Sequence, residues 1–513
     1  MNIFIEETPY IKQCEISLQN GINGLMGSSG CGKTTLMNEI FKKYDNIGYL
    51  SQDAPLFDFL TIQENIFISL QILGKENESE KMIENMELTK CKNTLIKSVS
   101  GGERKRCSIA IEMCNDPCAF LFDEPLSSLD SSTSISIFKF IQTKLSHLPI
   151  LLSIHQPSGI IFFNLDSLIL MTNGTIIYSG SPSSVETHFK YLGHEMNNFS
   201  SVPEFIIELC QELNEQQIKD YAHKDTDTVL LIINQAEPKK QGSLWNKALI
   251  CIPLVKREFL QNFRNPMFFK VRIFQTIVFS CFVGILFFQM KNDQIGVQNK
   301  NGALFFIIIN QIMSNTFSTI QTFPQSLKNF NYDYQRKKYP LINYYIVKTS
   351  IDIPFQIFNT ALFGLLSVYI TDITDKIFQF VSILVVVALT AASFGYFLST
   401  LSKDTNVSLV ITNLFILPMM LTSGFFMNNN SVPVYIEWIQ HINPFYYGYN
   451  SLSNVVWKDI DIECSEDCLY ANGKEVLEYQ NIKPNNNFII LLCMIGVFRA
   501  LGYLSLLLRN LKE

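Results

Sequence analysis

Residues 27 to 35 read Gly-Ser-Ser-Gly-Cys-Gly-Lys-Thr-Thr, which satisfies G-x-x-x-x-G-K-[ST] at every fixed position. The run dictates its own surroundings. Its glycines let the backbone curl tightly enough for successive N–H groups to point inward at a phosphate. Lys33 adds a fixed positive charge, and Thr34 offers a hydroxyl to Mg2+ where a helix N-terminus is itself partly positive. Such a loop needs a buried strand before it and a helix after it. Ile22-Asn23-Gly24-Leu25-Met26 reads as the strand end. Taken alone, a glycine-rich turn without function is the competing reading.

Three further stretches bear on that choice. Ile47 to Gln52 reads as a strand ending in a glutamine, and Thr61 with Glu64 three residues later marks a helix start with a capping box. Val99-Ser100-Gly101-Gly102-Glu103-Arg104-Lys105-Arg106 is a second glycine turn leading into a helix and shaped to meet an anion. Ala119-Phe120-Leu121-Phe122 is an apolar strand of the buried parallel type that ends in Asp123 and Glu124. There Asp123 is placed to hold Mg2+ and Glu124 to polarise an attacking water. Leu126 to Asp130 follows, and Ile150 to Ser158 is another apolar run, closing on His155. A lone histidine in that position is more often structural.

In this order the residues resemble an ABC transporter nucleotide-binding domain, and more narrowly the white or ABCG subfamily. The subfamily signature commonly reads V-S-G-G-E-R-K-R, and its switch histidine sits in I-H-Q-P-S. Asn173 to Gly180, Phe189 and Tyr191-Leu192-Gly193 extend the likeness past that histidine. The resemblance implies an α/β P-loop ATPase domain using ATP and Mg2+. Gly27, Ser28, Ser29, Gly30, Cys31, Gly32, Lys33, Thr34 and Thr35 would bind nucleotide, as would Ser100, Gly101, Gly102 and Asp130. Thr34, Gln52 and Asp123 would serve the metal, and Glu124, His155 and Gln52 the hydrolysis. It further implies a dimer, because the signature of one subunit completes the site of the other.

Some features depart from the family pattern. Only 26 residues precede the loop, Lys33 and Gln52 lie 19 apart, and Ser128 stands where glycine is common. The small antiparallel strands are therefore expected to be trimmed, and Phe4 and Tyr10 are weak candidates for stacking on adenine. Cys31, beside Lys33 and a helix N-terminus, raises the idea of a thiol with a lowered pKa acting as a redox brake. A small filler residue is the favoured alternative.

The chain has 47% hydrophobic residues and a mean hydropathy of +0.16, unevenly spread. To about residue 240 apolar and charged positions alternate as in a soluble α/β protein. Residues 213–243 read as a polar linker, and 244–266 as an amphipathic connecting helix with Leu244, Ala248, Ile252, Val255 and Phe259 at helical spacing. It is read either as a packed core helix or as a membrane-surface one. The family resemblance favours a connecting helix at the bilayer face. Six apolar segments follow, at about 268–290, 301–322, 346–370, 377–399, 407–427 and 488–508. Each is near the roughly 20 residues that span a bilayer.

The expected organisation is therefore a nucleotide-binding domain over 1–212, the linker, the connecting helix, and a six-helix transmembrane domain over 267–513 with an external loop at 428–487. Lys328, Arg336, Lys337, Lys338, Arg509 and Lys512 against Asp459, Asp461, Glu463, Glu466 and Asp467 put the ATPase on the cytosolic side by the positive-inside rule. An ATPase followed by six spans is the reverse-order half-transporter layout of the ABCG subfamily, with Phe323-Pro324, Lys348 and Pro354 similar to its second intracellular stretch.

The net charge of −6 without a basic face recommends no nucleic-acid partner. The first seven cysteines show no metal-ligand spacing. For Cys464 and Cys468 a disulfide and free thiols both stay open, and Asn429-Asn430-Ser431 is a possible glycosylation site. Asn310, Gln311, Asn315 and Asn413, with Phe305, Phe306 and Phe415, form the expected substrate wall, since the second and fifth spans line the cavity in this family. Arg499 in the sixth span has no evident partner. The function implied is ATP-driven export or lipid movement by a dimer of half-transporters, a homodimer or a heterodimer, acting on a hydrophobic or amphipathic substrate in a lipid bilayer. A membrane-bound ATPase with a regulatory role is the alternative.

Overall fold

The structure, a computed structural model, describes residues 2–5, 11, 14–52, 54–196, 201–222, 250–336, 338–402, 404–428, 432–463, 469–482 and 486–510. The chain divides into two units, Met1–Asn246 and Lys247–Glu513.

In the first unit β3 (Gly21–Met26), β4 (Ile47–Leu50), β5 (Ala119–Phe122), β6 (Pro149–Ser153), β7 (Ser167–Thr172) and β8 (Thr175–Gly180) form one sheet in the order β4-β5-β6-β3-β7-β8. Pairing is parallel from β4 through β7, and only β8 runs antiparallel. Strands β1 (Asn2–Ile5) and β2 (Cys14–Ser17) form a separate antiparallel pair. Strands β3, β4 and β5 are buried throughout, as apolar strands rich in Ile, Leu and Phe require when both faces are covered. The named helices of this unit are α1 (Lys33–Lys43), α2 (Ile62–Ile72), α3 (Gly101–Met113), α4 (Ser131–Leu145), α5 (Val202–Glu212) and α6 (Glu215–Ala222). Helix α2 begins at the capping box read from the sequence: Glu64 N donates to Thr61 Oγ1 at 3.1 Å, and Thr61 N donates to Glu64 Oε2 at 2.8 Å.

The first unit does not stop at residue 212. Helix α6 falls inside the stretch read as linker and packs onto the sheet unit through Ile218 and Tyr221, which are buried. Its polar composition masked a single apolar edge at i and i+3. Residues 223–249, including Leu244 and Ala248, lie outside the described residues, as do Tyr10, the Asn429-Asn430-Ser431 sequon, and Cys464 and Cys468. The Phe4 side chain does too.

The second unit contains α7 (Cys251–Arg264), α8 (Pro266–Leu286), α9 (Gln294–Gln335), α10 (Leu341–Thr371), α11 (Ile377–Thr400), α12 (Thr405–Leu421), α13 (Pro444–Trp457) and α14 (Asn487–Asn510). Five of these are long and apolar enough to cross a membrane: α8, α9, α10, α11 and α14. Their outward surfaces stay apolar, as at Phe274, Ile285 and Leu365. The fifth segment, expected at 407–427, forms the 17-residue α12, with Pro418 in its last turn. Helix α9 far exceeds the expected 301–322. At 42 residues it is about 63 Å long, roughly twice the hydrocarbon thickness. Lys328, read as a loop residue, belongs to this helix, and Lys338 is spent on an ion pair with Asp333 at 3.0 Å.

The segment 428–487 is not simply a loop. Asn443 caps α13, donating from Nδ2 to Met419 O at 2.6 Å and accepting from Phe445 N at 2.9 Å. Tyr449, Leu452 and Trp457 then bury completely in the unit's core. Phe305, expected on the substrate wall, joins that core instead, its ring stacked 4.4 Å from Phe425. Arg499 has a partner: its Nε donates to Ser393 Oγ at 3.2 Å.

Helix α7 is amphipathic in an unusual sense. Ile252, Val255, Phe259 and Phe263 face outward, whereas Arg257, Glu258 and Asn262 are buried. Arg257 Nη1 pairs with Asp333 Oδ2 at 2.9 Å, and its Nη2 donates to Tyr339 Oη at 2.7 Å. Glu258 meets Lys348 at 3.4 Å, and Asn262 donates to Asp352 at 2.9 Å. The apolar face turned outward matches a helix lying in a bilayer interface.

Candidate nucleotide site

Sheet order assembles the site. The four neighbouring strands β4, β5, β6 and β3 end, respectively, at Gln52, at Asp123 and Glu124, before His155, and at Gly27. Motifs scattered over 130 residues of sequence therefore emerge side by side at the carboxyl edge of a parallel sheet, where ligands of such sheets bind. Two backbone bonds tie these ends together: Asp123 N donates to Leu50 O at 2.8 Å, and Ile154 N to Leu25 O at 3.0 Å.

In the phosphate loop Gly27 sits at φ 156° against the Met171 carbonyl, 2.0 Å from where a Cβ would be, so only glycine fits. Gly32 caps α1 at φ 107°. Lys33 is buried, and its ammonium donates to Gly27 O at 2.8 Å and Ser28 O at 3.1 Å, held against the loop's own carbonyls. Ser29, Gly30 and Thr34 are exposed, and Ser28 and Thr35 partly so. Cys31 is buried, and burial pushes its thiol up, outweighing the nearby Lys33. The lowered thiol considered from sequence is thus replaced by a small packing residue. Its Sγ lies 2.8 Å from the Gly27 Cβ position.

At the end of β5 the carboxylate of Asp123 is buried and accepts from Ser153 Oγ at 2.7 Å, while the same hydroxyl oxygen accepts from Glu124 N at 2.8 Å. Ser153 was not singled out from sequence. The available signal was a polar residue closing an otherwise apolar strand. Its hydroxyl orients Asp123 and holds Glu124 in a left-handed conformation at φ 46°. Ser127 donates to Glu124 O at 2.7 Å, and Ser128 follows at φ 62°. That positive φ is the physical reason glycine suits this position. Asp130 caps α4, accepting from Thr133 N at 3.0 Å, and the hydrogen bonds from Ser132 and Thr133 hold its carboxyl below the usual range.

Ser100 caps α3. Its Oγ donates to Glu103 Oε2 at 2.7 Å, Ser100 N donates to the same oxygen at 2.9 Å, and these bonds hold the Glu103 carboxyl low. Gly101 packs on Leu129 and Gly102 on Thr133, where a Cβ would come to 2.8 and 3.1 Å. Ser100 and Gly101 are themselves exposed. Lys105 Nζ donates to Gln52 O at 3.0 Å, while the Gln52 side chain is exposed and that of His155 half-buried.

Two families match. Residues 44–127 match ABC transporter, and residues 251–457 match ABC-2 type transporter. The chain is 27% identical to Protein white of Drosophila melanogaster, over 98% of this chain and 83% of that protein. It is 25% identical to the broad substrate specificity ATP-binding cassette transporter ABCG2 of Sus scrofa, over 96% and 89%, and 26% identical to ABC transporter G family member 22 of Arabidopsis thaliana, over 94% and 73%. An ATPase sheet followed by a multi-pass apolar helical unit, matched to the ABC transporter and ABC-2 type transporter families and similar along nearly its whole length to white and ABCG half-transporters, is an ATP-driven membrane transporter.

Proposed function

We propose that this chain works as a homodimer in which each nucleotide is gripped between the phosphate loop of one subunit and the signature of the other, and that closure of these two sites drives an amphipathic substrate across the membrane. The observation that carries this reading is the sheet order. It gathers Gly27, Gln52, Asp123, Glu124 and His155 along one edge, while Ser100 and Gly101 stand exposed at the start of α3, available to a second copy.

Within one subunit the loop N–H groups would cradle the phosphates, and the Lys33 ammonium would exchange its two carbonyl partners for phosphate oxygens. The Thr34 hydroxyl, the Asp123 carboxylate and the Gln52 amide form an all-oxygen donor set that suits Mg2+. Ser153 already fixes one Asp123 oxygen. When bound, the metal neutralises charge between the outer phosphates. Glu124 would accept a proton from the attacking water, and His155 would donate to the outermost phosphate. Ser100, now turned to Glu103, would turn to the partner's nucleotide. Asp130 would act through the helix it caps, keeping Ser127 and Ser128 in place.

The charge distribution supports a cytosolic nucleotide domain: Arg336 and Arg509 lie at one end of the spans, while Asp459 and Asp461 lie in the acidic segment at the other. Outward-facing Asn413, Leu414 and Phe415 on α12 are the part of the expected wall best placed to meet a second copy or a substrate. The test is Glu124→Gln in proteoliposomes. ATP binding should be retained, and flux of a fluorescent amphiphile should fall to the level of empty vesicles. Unchanged flux would remove hydrolysis from the mechanism.

A further inference from the structure

Between the end of β4 and the start of α2 the chain passes from Gln52 to Asp58, and two consecutive residues of α3 hold that segment at both ends. At the near end Lys105 Nζ donates to Gln52 O at 3.0 Å. At the far end Arg104 Nη1 pairs with Asp58 Oδ1 at 2.8 Å. The backbone leading into α3 adds to the far end, where Lys97 N donates to Asp58 O at 3.1 Å and Ile96 N to Leu60 O at 3.0 Å. The Lys97 ammonium also lies 4.8 Å from the centre of the Phe59 ring. Behind this segment β4 is an edge strand of the sheet, whose outward N–H groups need partners. Helix α3 supplies one: buried Glu112 accepts from Tyr49 N at 3.3 Å through its Oε2.

The helix and the segment it holds face different nucleotides in the dimer. Gln52 stands at the edge of its own subunit's site, whereas Ser100 and Gly101, at the other end of the same helical turn as Arg104 and Lys105, are exposed toward a second copy. Four to five residues of helix are about 6–8 Å of rigid backbone. A shift of Gln52 therefore either drags the start of α3 with it or breaks the Lys105 bond.

We propose that Arg104 and Lys105 link the two nucleotide sites, carrying the displacement of Gln52 by nucleotide and metal in one site to the Ser100–Gly102 turn that completes the other. Lys105 and Arg104 are positioning residues, since they act through the segment and the turn. A hydrogen bond from a charged donor is strong enough to set a coupling of about fivefold or more between two sites. The route is a contiguous chain of bonded groups within one subunit, from Gln52 through Lys105 to the cap of α3. This inference rests on the two-site dimer reading and extends it from how each site closes to how one site informs the other.

The experiment uses the full chain in nanodiscs and measures phosphate release against ATP concentration, with mass photometry on the same sample to count subunits. The expected result is a dimer with a Hill coefficient of about 1.4 or more, which is what a fivefold coupling of two sites gives. Lys105→Met keeps the length of the side chain and removes the donor, so it should bring the coefficient to about 1. Lys105→Arg can still donate to the Gln52 carbonyl and should keep much of the cooperativity. Arg104→Met releases the far end and should lower the coefficient in part, which keeps the test alive if Lys105→Met does not reconstitute. Melting should shift by no more than about 4 °C and maximal turnover by no more than about threefold in each variant, because the contacts are exposed and neither side chain is placed on nucleotide. A dimeric unmodified chain with a coefficient of about 1 overturns the link, as does a coefficient that survives both Lys105→Met and Arg104→Met. Cooperativity lost only together with a large fall in melting temperature in both variants assigns the residues to structure and overturns it too. A monomer that hydrolyses ATP without cooperativity sinks the two-site reading itself, and the link falls with it.

Discussion

The two units of this chain keep their charges in opposite places. In the nucleotide unit the sheet interior is apolar, and the chemistry sits at its edge, where Gln52, Glu124 and His155 meet solvent and only Lys33 and Asp123 are deeply held. In the membrane unit the outside is apolar, and Arg257, Glu258, Asp333, Lys348 and Asp352 are buried between helices. Each unit hides what its solvent rejects. The nucleotide unit can therefore lose a surface charge at little cost, whereas the membrane unit depends on its charges for integrity.

Predictions test that contrast. The largest effect is expected for Glu124→Gln, which should cut steady-state ATP turnover by at least about 100-fold, the contribution typical of a positioned general base, measured as phosphate release from the full protein in nanodiscs. Turnover within about threefold of the unmodified chain would place the base elsewhere. Next comes Asp333→Ala. It leaves Arg257 and Lys338 buried without their carboxylate and should cost about 3–5 kcal/mol, seen as a large drop in the melting temperature of the membrane unit. The matched change in the other unit is Arg104→Ala, which breaks an exposed pair with Asp58 at 2.8 Å. That substitution should shift stability by about 0–1 kcal/mol. Equal shifts for the two pairs would erase the contrast.

Within the site Ser153→Ala should slow turnover by roughly 10- to 100-fold, as the loss of an orienting partner does, while melting changes little. Ser128→Gly removes a left-handed strain at φ 62° and should raise the nucleotide unit's stability by about 1 kcal/mol. The smallest effect concerns Cys31. Its thiol is pushed up by burial, so it is protonated at neutral pH, and alkylation should be slow with or without ATP. Fast labelling that ATP blocks would restore the redox brake.

The nucleotide site was legible because it is local. A phosphate loop, the glycine turn at Ser100 to Gly102 that opens a helix, and an apolar strand ending in Asp123 and Glu124 are each specified by a few consecutive residues. The polar surroundings of Asp123 were not, since Ser153 reaches it from a strand 30 residues away. Membrane spans were legible as apolar runs, but their ends were not. Helix α9 continues past the apolar stretch because Asp333 and Arg257 satisfy each other in the polar turns beyond it. Helix α6 was not legible because its buried apolar residues, Ile218 and Tyr221, stand among polar neighbours.

The sequence by itself determined the two kinds of unit, the loop at Gly27 to Thr35, the glycines that no other residue can replace, and the segments apolar enough to enter a bilayer. All of these follow from backbone conformation and from transfer of side chains out of water, which neighbouring residues settle among themselves. Tertiary structure alone decided which strands stand next to one another, and hence that four distant motifs share an edge. It also decided which face of α7 turns inward, that Phe305 belongs to the core, and that Lys105 and Arg104 meet Gln52 and Asp58. Those outcomes depend on pairings between segments far apart in the chain, whose free energy appears only once the burial of one segment is defined by the other.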